Sequence, residues 1–482
     1  AYSSNIKERR DCSSALFDAD GRMIAQAAHI PVHLGALPES VAAVMERGPE
    51  PGDVFIVNDP YSGGSHLPDI TMVAPMAPWG EIVGYAVTRA HHSDIGGMRP
   101  GSMPSASGEI FQEGLIIPPV RLVRDGRYVR DVLDVILANV RTPFVRQGDL
   151  RAQIAANRLG EVRFRELIER KGRDLVMTAC EDLLAYTERR TREALERLPD
   201  GEYRATSQME GDGVTEGDIP ICVTVVIEGD SATIDFAGTS SAVAGNVNCP
   251  ISVTRSACNF AMQVLLAKDV PVSNAGTFAP IRIVAPEGSL VNARWPSAVV
   301  AGNVETSQRI ADTVLVALSQ VADVPAQGQG TMNVLVLGGS DWTYVETLGG
   351  GQGAHSRGPG ASGVHVGMTN TLNTPIEALE LEYPLRVERY ELAYGTGGEG
   401  RHHGGDGLVR SIQVLEPASL SLLTDRRRHA PRGLAGGGPG ATGVNCLDGT
   451  VLPAKVSRDL QAGDVVTVQT PGGGGFGPAE EE

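Results

Sequence analysis

The stretch Leu195-Glu-Arg-Leu-Pro-Asp-Gly201, with what lies on either side of it, decides the fold. Before it, from Gly148 to Leu198, the chain has no proline and, after Gly148 itself, only Gly160 and Gly172. Apolar residues recur there at every third or fourth position, which lines up one face of a helix. The segment reads as a long helical region, broken once or twice, that Pro199-Asp-Gly201 ends. After it, Ile219 to Ile227 and Ala232 to Phe236 are apolar runs flanking the turn Glu228-Gly-Asp-Ser231, the pattern of strands.

Working outward gives an α+β fold in four regions. Residues 1–147 are mixed α/β: Val54 to Asn58 and Ile82 to Thr88 suit buried strands, and Pro38 to Arg47 suits a helix with Pro in its first turn and Gly48 past its end. Residues 148–200 are the helical segment. Residues 201–380 are α+β, with helices expected at Thr254 to Leu266 and Ser307 to Val321. Residues 381–477 are β-rich. Short strands at Met332 to Leu337, Leu408 to Leu415, Leu420 to Thr424 and Val465 to Gln469 alternate with glycine loops through the C-terminal third.

Bulk properties narrow the function. The 482 residues carry 41 Lys+Arg against 58 Asp+Glu, a formal charge of −17, which argues against nucleic acid as a partner. A hydrophobic content of 41% excludes a disordered chain. No run approaches ~18 uncharged apolar residues, so no membrane span is expected. The six cysteines form no Cys-x-x-Cys pair, and they read as reduced thiols of a cytoplasmic protein; Cys258 is a nucleophile only in principle. The start lacks a signal peptide's apolar region, and the chain begins abruptly at Ala1 with no initiator methionine, so an upstream segment is expected.

Glycine is in excess, 59 residues, and Gly-x-Gly-x-x-Gly occurs from Gly358, Gly395, Gly438 and Gly472. A dinucleotide fingerprint needs a helix opening from the loop, and no helical pattern follows any of the four. No lysine stands in a Walker A context. If ATP is used, another chain binds it.

The chemistry concentrates in Asn58-Asp-Pro-Tyr-Ser-Gly-Gly-Ser-His66-Leu-Pro-Asp69 and in Arg89-Ala-His91-His92-Ser-Asp94-Ile-Gly-Gly97. His66 and Asp69 are three apart across a turn, and a second His/Asp group follows within about 25 residues. Imidazole plus carboxylate suits Zn²⁺, Mn²⁺ or Fe²⁺. Neighbouring residues on an extended segment point oppositely, so only one of His91 and His92 reaches the ion. His29 and His33 are placed to line the same pocket, and Pro31 between them argues against a helical metal pair. Arg426-Arg427-Arg428 is either an anion contact or a solvated turn. Asn246, Asn248 and Asn303 read as polar residues lining something, with no legible chemistry.

Taken in order, Lys7-Glu-Arg-Arg-Asp11, Ala28-His-Ile-Pro-Val-His-Leu-Gly35, the 58–69 and 91–97 stretches, Gly302-Asn-Val-Glu-Thr-Ser307, Gly404-Gly-Asp-Gly407, Thr424-Asp-Arg-Arg-Arg428, Gly436-Gly-Gly-Pro-Gly440 and Thr470-Pro-Gly-Gly-Gly-Gly-Phe-Gly477 resemble the hydantoinase B family over essentially the whole chain, 1–477. The resemblance implies metal ligands at Asp11, His66, Asp69 and His91, with His92 or Asp94 as general base or ligand-orienting group. It implies Arg426, Arg427 and Arg428 as phosphate contacts. It also implies an A-type partner that binds ATP and phosphorylates the carbonyl oxygen of a hydantoin, 5-oxoproline or related lactam. Two alternatives stay open: a ketone carboxylase of the acetone or acetophenone type, and a purely structural subunit.

Overall fold

A computed structural model describes residues 1–33, 35–266, 270 and 273–479; Leu34 of the 28–35 stretch lies outside them. The N-terminal region is built on seven antiparallel strands: β1 (Cys12–Asp18), β2 (Met23–Ala28), β3 (Val54–Val57), β4 (Asp69–Met76), β5 (Gly84–His91), β6 (Val120–Arg124) and β7 (Arg127–Tyr128). Their order is β2-β1-β5-β4-β3-β6-β7. β4 and β5 are buried on both faces, which explains their near-continuous apolar sequences. One face packs on the helix Leu37–Met45 through Phe17, Val41, Phe55 and Val73. The other lies under the long helix Pro143–Lys171, which contributes Leu150 and Ile154 to a core with Ile70 and Met72.

The expected helical region is two helices, Pro143–Lys171 and Arg173–Leu195. The break falls at Gly172, whose φ of 90° suits a residue without Cβ. The chain then forms β8 (Gly201–Glu210), β9 (Asp218–Glu228), β10 (Ser231–Asp235) and β11 (Ile281–Val284), in the order β11-β10-β9-β8. Alternate residues of β9, Ile219 to Ile227, point into the largest core, against the helices Ile251–Leu266 and Ser307–Leu318. Ser307–Leu318 is entered through a single π turn, Gly302–Thr306.

Two further sheets complete the fold. One holds β12 (Val334–Gly338), β13 (Thr343–Glu346), β16 (Ala418–Leu423) and β19 (Lys455–Leu460), ordered β13-β12-β16-β19. The other holds β14 (Leu385–Ala393), β15 (Gly407–Val414), β17 (Val444–Leu447), β18 (Thr450–Leu452) and β20 (Val465–Gln469), ordered β14-β15-β20-β17-β18. They share a core of Leu337, Tyr344, Ile412, Leu420 and Val468. The architecture is mixed α+β, as expected from the sequence.

The glycine-rich loops lock against one another, backbone on backbone. Gly405 donates its N–H to Gln352 and accepts from Gly473. A Cβ on Gly405 would stand 1.9 Å from the Ala361 carbonyl oxygen, so no side chain fits. Among the described residues, none of the four Gly-x-Gly-x-x-Gly patterns opens a helix. No described helix is long and apolar enough to cross a membrane.

Candidate metal centre

Strand register builds the site. Asp69, the first residue of β4, pairs with His91, the last of β5. Directly opposed residues of antiparallel strands share a face and stand close together. The next strand continues the row: Cys12 of β1 pairs with Ala90, and the His91 N–H donates to the Asp11 carbonyl oxygen at 3.0 Å. His66 arrives from the preceding turn, where Asp69 N–H donates to the His66 carbonyl at 3.0 Å. Pro68 takes part in that turn, and its carbonyl oxygen accepts the His92 N–H at 2.8 Å.

The result is a buried group of His66, Asp69 and His91 whose ligand atoms all lie within 4.8 Å of one another. Asp69 Oδ1 is 3.1 Å from His66 Nε2 and 3.1 Å from His91 Nδ1, and Oδ2 accepts from Ser65 Oγ at 2.7 Å. Tetrahedral ligands about 2.1 Å from an ion stand about 3.4 Å apart, so the two 3.1 Å separations are already of that size and the widest one must close inward on an ion. His66 Nδ1 and His91 Nε2 are buried without a hydrogen-bond partner, and His66 Nε2 has only the Asp69 carboxylate beside it. Buried ring nitrogens left without partners around a carboxylate are costly unless something coordinates them. The donor set therefore fits a divalent ion.

The electrostatics suit Asp69 and His66 as ligands and set His91 apart. Burial and His66, His33 and His91 act in opposite directions on Asp69, and the imidazoles win, holding its carboxyl well below the usual range. Burial pushes His66 down, which favours the neutral imidazole, whose one unprotonated nitrogen can ligate. Burial pulls His91 down, but its hydrogen bond to Asp69 and the charges of Asp11 and Asp69 outweigh it and raise His91, so an ion binding there displaces a proton.

Asp11 lines the same cavity, with Asn5, Arg9, His33 and Asn303, and it stands outside the tight three-residue group. His33 is brought in as a neighbour of Asp69, its Nε2 3.5 Å from Oδ2 and its Nδ1 2.8 Å from Ser13 Oγ. His29 is exposed. His92 leaves the cluster: its Nε2 is 2.9 Å from Gln153 Oε1 on the long helix, and burial pushes it down to about 4. Asp94 accepts from Gly96, Gly101 and Arg141, an arrangement that fixes the loop after β5. Cys258 is buried and its thiol pushed up, which removes it as a nucleophile.

Of the asparagines, Asn248 is spent on backbone groups at Val243, Gly245 and Ala298. Asn303 is different. It sits in the π turn, lines the cavity, and its buried Oδ1 has no partner. A single π turn inside a helix often marks a functional position. The cavity is small, about 20 Å³, room for an ion or one water. Thr369 lines both it and a larger cleft of about 440 Å³ bordered by Phe260, Leu315, Val316 and His365.

Arg427 is committed inside the protein, and Arg426 spends its two terminal nitrogens there while its Nε has no partner. Arg426 donates to Asp312 at 2.6 Å and Gln327 at 3.1 Å, and Arg427 donates to Asn333 and Asn445. Arg428 is half exposed and pairs with Asp218 at 2.9 Å.

A family model described as Hydantoinase B/oxoprolinase matches residues 1–479. An uncharacterized protein of Methanocaldococcus jannaschii is 40% identical, over all of this chain and 87% of its own length. A protein of Pseudomonas sp. (strain NS671), provisionally named as the B-type component of a D-/L-hydantoinase, is 35% identical, over 100% of this chain and 86% of its own length. 5-oxoprolinase 1 of Arabidopsis thaliana is 39% identical over 99% of this chain, which spans only 40% of that longer protein. Among solved structures, the ATP-dependent caprolactamase from Pseudomonas jessenii superimposes with a TM-score of 0.88 at 30% identity, over 98% of this chain and 85% of that one. Acetone carboxylase, nucleotide-free, shares the fold with a TM-score of 0.88 at 19% identity, over 99% and 72% of the two chains.

Proposed function

The chain belongs to the hydantoinase B/oxoprolinase family, and on that premise we propose that it is the metal-site subunit of an ATP-dependent cyclic amidohydrolase. Its substrate is a hydantoin, 5-oxoproline or related lactam whose carbonyl oxygen an A-type partner phosphorylates. The observation that carries this reading is the buried His66, Asp69 and His91 group, in which His66 Nδ1 and His91 Nε2 have no protein partner.

An amide resists attack because its C–N bond is resonance-stabilised; phosphorylation of its oxygen weakens that resonance and provides a leaving group. The absence of a Walker lysine in this chain accords with ATP being bound by the partner. His66, Asp69 and His91 hold a divalent ion, Zn²⁺, Mn²⁺ or Fe²⁺, with Asp11 at the same cavity as a fourth candidate ligand. Such an ion supplies a water of lowered pKa or polarises a carbonyl or phosphoryl oxygen. Asn303 Oδ1, buried without a partner at the cavity wall, would accept a hydrogen bond from a water held in the small cavity and orient it. The ring itself does not fit there; it occupies the adjoining cleft of about 440 Å³, whose wall includes Thr369. The working protein is a cytoplasmic hetero-oligomer.

Reconstitution tests this. The chain, its A-type partner, ATP and a divalent metal should open a hydantoin or 5-oxoproline ring, fix no labelled bicarbonate, and lose turnover in His66→Ala and Asp69→Ala with the complex intact. Incorporation of bicarbonate, or full activity in both variants, contradicts the proposal.

A further inference from the structure

A second polar cavity, of about 230 Å³, opens among strand β8, the helix Ser307–Leu318 and the arginine loop. Four guanidinium groups line it, those of Arg309, Arg426, Arg428 and Arg432, with Gln208 and His429. That is a dense cationic lining in a chain of formal charge −17. Arg309 is 1% exposed and Arg426 3%. Arg309 Nε and Nη2 and Arg426 Nε have no hydrogen-bond partner.

The nearby acids stand outside the cavity lining. Asp312 accepts from Arg426 at 2.6 Å but is 3.9 Å from Arg309, and Asp425 is 3.5 Å from Arg309. Asp218 is 2.9 Å from both Arg428 and His429 at the rim. Glu210 accepts the backbone N–H groups of Arg427, Arg428 and His429, which folds the loop over the cavity. Burial first, and then the charge of Arg309, push Arg426 down to about 10, so it is still protonated at neutral pH. Buried guanidinium donors without acceptors are expensive, and planar forked donors match the oxygens of a phosphate.

We propose that this cavity binds a phosphoryl oxyanion, either inorganic phosphate or the phosphate of a small organic ester. Arg309 and Arg426 are its buried donors, and Arg428 and Arg432 close it from outside. Gln327 and Arg432 also line the 440 Å³ cleft, so the organic part of an ester lies there. The site shares no residue with His66, Asp69 and His91; its organic-ester arm rests on the proposed phosphorylated substrate, and its inorganic-phosphate arm stands without it.

Calorimetric titration of the full chain with inorganic phosphate, phenyl phosphate and acetate tests it. Phosphate should bind saturably, and the Arg428→Gln/Arg432→Gln double variant, altered only at the accessible rim, should bind roughly ten-fold more weakly or worse while unfolding at the same temperature. Arg309→Lys keeps the charge but loses the fork and should weaken binding similarly. Phenyl phosphate binding more tightly than phosphate identifies an ester ligand; equal binding identifies inorganic phosphate. No saturable binding by millimolar phosphate, an unchanged affinity in the rim variant, or acetate binding as tightly as phosphate overturns the proposal.

Discussion

Glu113→Gln probes how the cavity wall is held. Glu113 is fully buried and accepts from Ser107 Oγ at 2.8 Å and from the Val299 and Val300 N–H groups at 3.1 Å. Those two valines lead into the π turn that carries Asn303, so this carboxyl anchors one side of the site. Burial pushes it from 4.5 up to about 7, against the pull of its three donors. Because the folded value lies above the unfolded one, its stabilising contribution is complete below pH 4.5 and is lost as pH rises through about 7. A rise of this size corresponds to about 3 kcal/mol at 1.36 kcal/mol per pH unit. Gln keeps the shape and the accepting oxygen and never ionises. Glu113→Gln should therefore gain up to about 3 kcal/mol on the wild type between pH 5 and pH 8. Urea unfolding of both proteins at the two pH values, compared as a difference, measures it. A difference that stays flat across that range refutes the assignment of this charge to the core.

Asn303→Ala removes an acceptor that has no partner in the protein, so it should leave the unfolding midpoint nearly unchanged and lower turnover of the reconstituted complex by about ten-fold or more. A fall in stability with unchanged turnover would make it a packing residue. Gly405→Ala places a methyl 1.9 Å from the Ala361 carbonyl oxygen, and the loop junction has no free direction to move. It should cost several kcal/mol and give little soluble protein, whereas Gly449→Ala, with open space around it and φ +79, should cost about 1 kcal/mol or a little more.

The sequence conveyed the periodic features best. The helical stretch ending at Pro199 and the alternating strand Ile219 to Ile227 stand where their spacing placed them, because each buries one face against a neighbour it does not need to know in detail. β1, β2 and β4 escaped that reading. β4, Asp-Ile-Thr-Met-Val-Ala-Pro-Met, is buried on both faces and carries Pro75, so it shows neither alternation nor clean punctuation. The pairing of His66 and Asp69 was local and legible. The placement of His91 rather than His92 in the cluster follows from the β4–β5 register, and the face assignment from alternation alone left the choice open. Arg309 and the arginine loop lie more than a hundred residues apart, so their shared cavity is a property of the packed helix and sheets that no spacing rule reaches. Asn303 was visible as a polar residue beside Gly302, and only the π turn gives it a direction.

The most direct test is elemental analysis of the purified chain and of Asp69→Asn after dialysis against metal-free buffer. Asp69→Asn conserves volume and removes the one charged ligand of the three-residue group. The account predicts about one equivalent of Zn, Mn or Fe in the wild type and none retained in Asp69→Asn, with the two proteins giving the same circular dichroism spectrum. A wild-type chain that neither carries nor takes up any of these ions, or a variant that keeps its full equivalent, would contradict it.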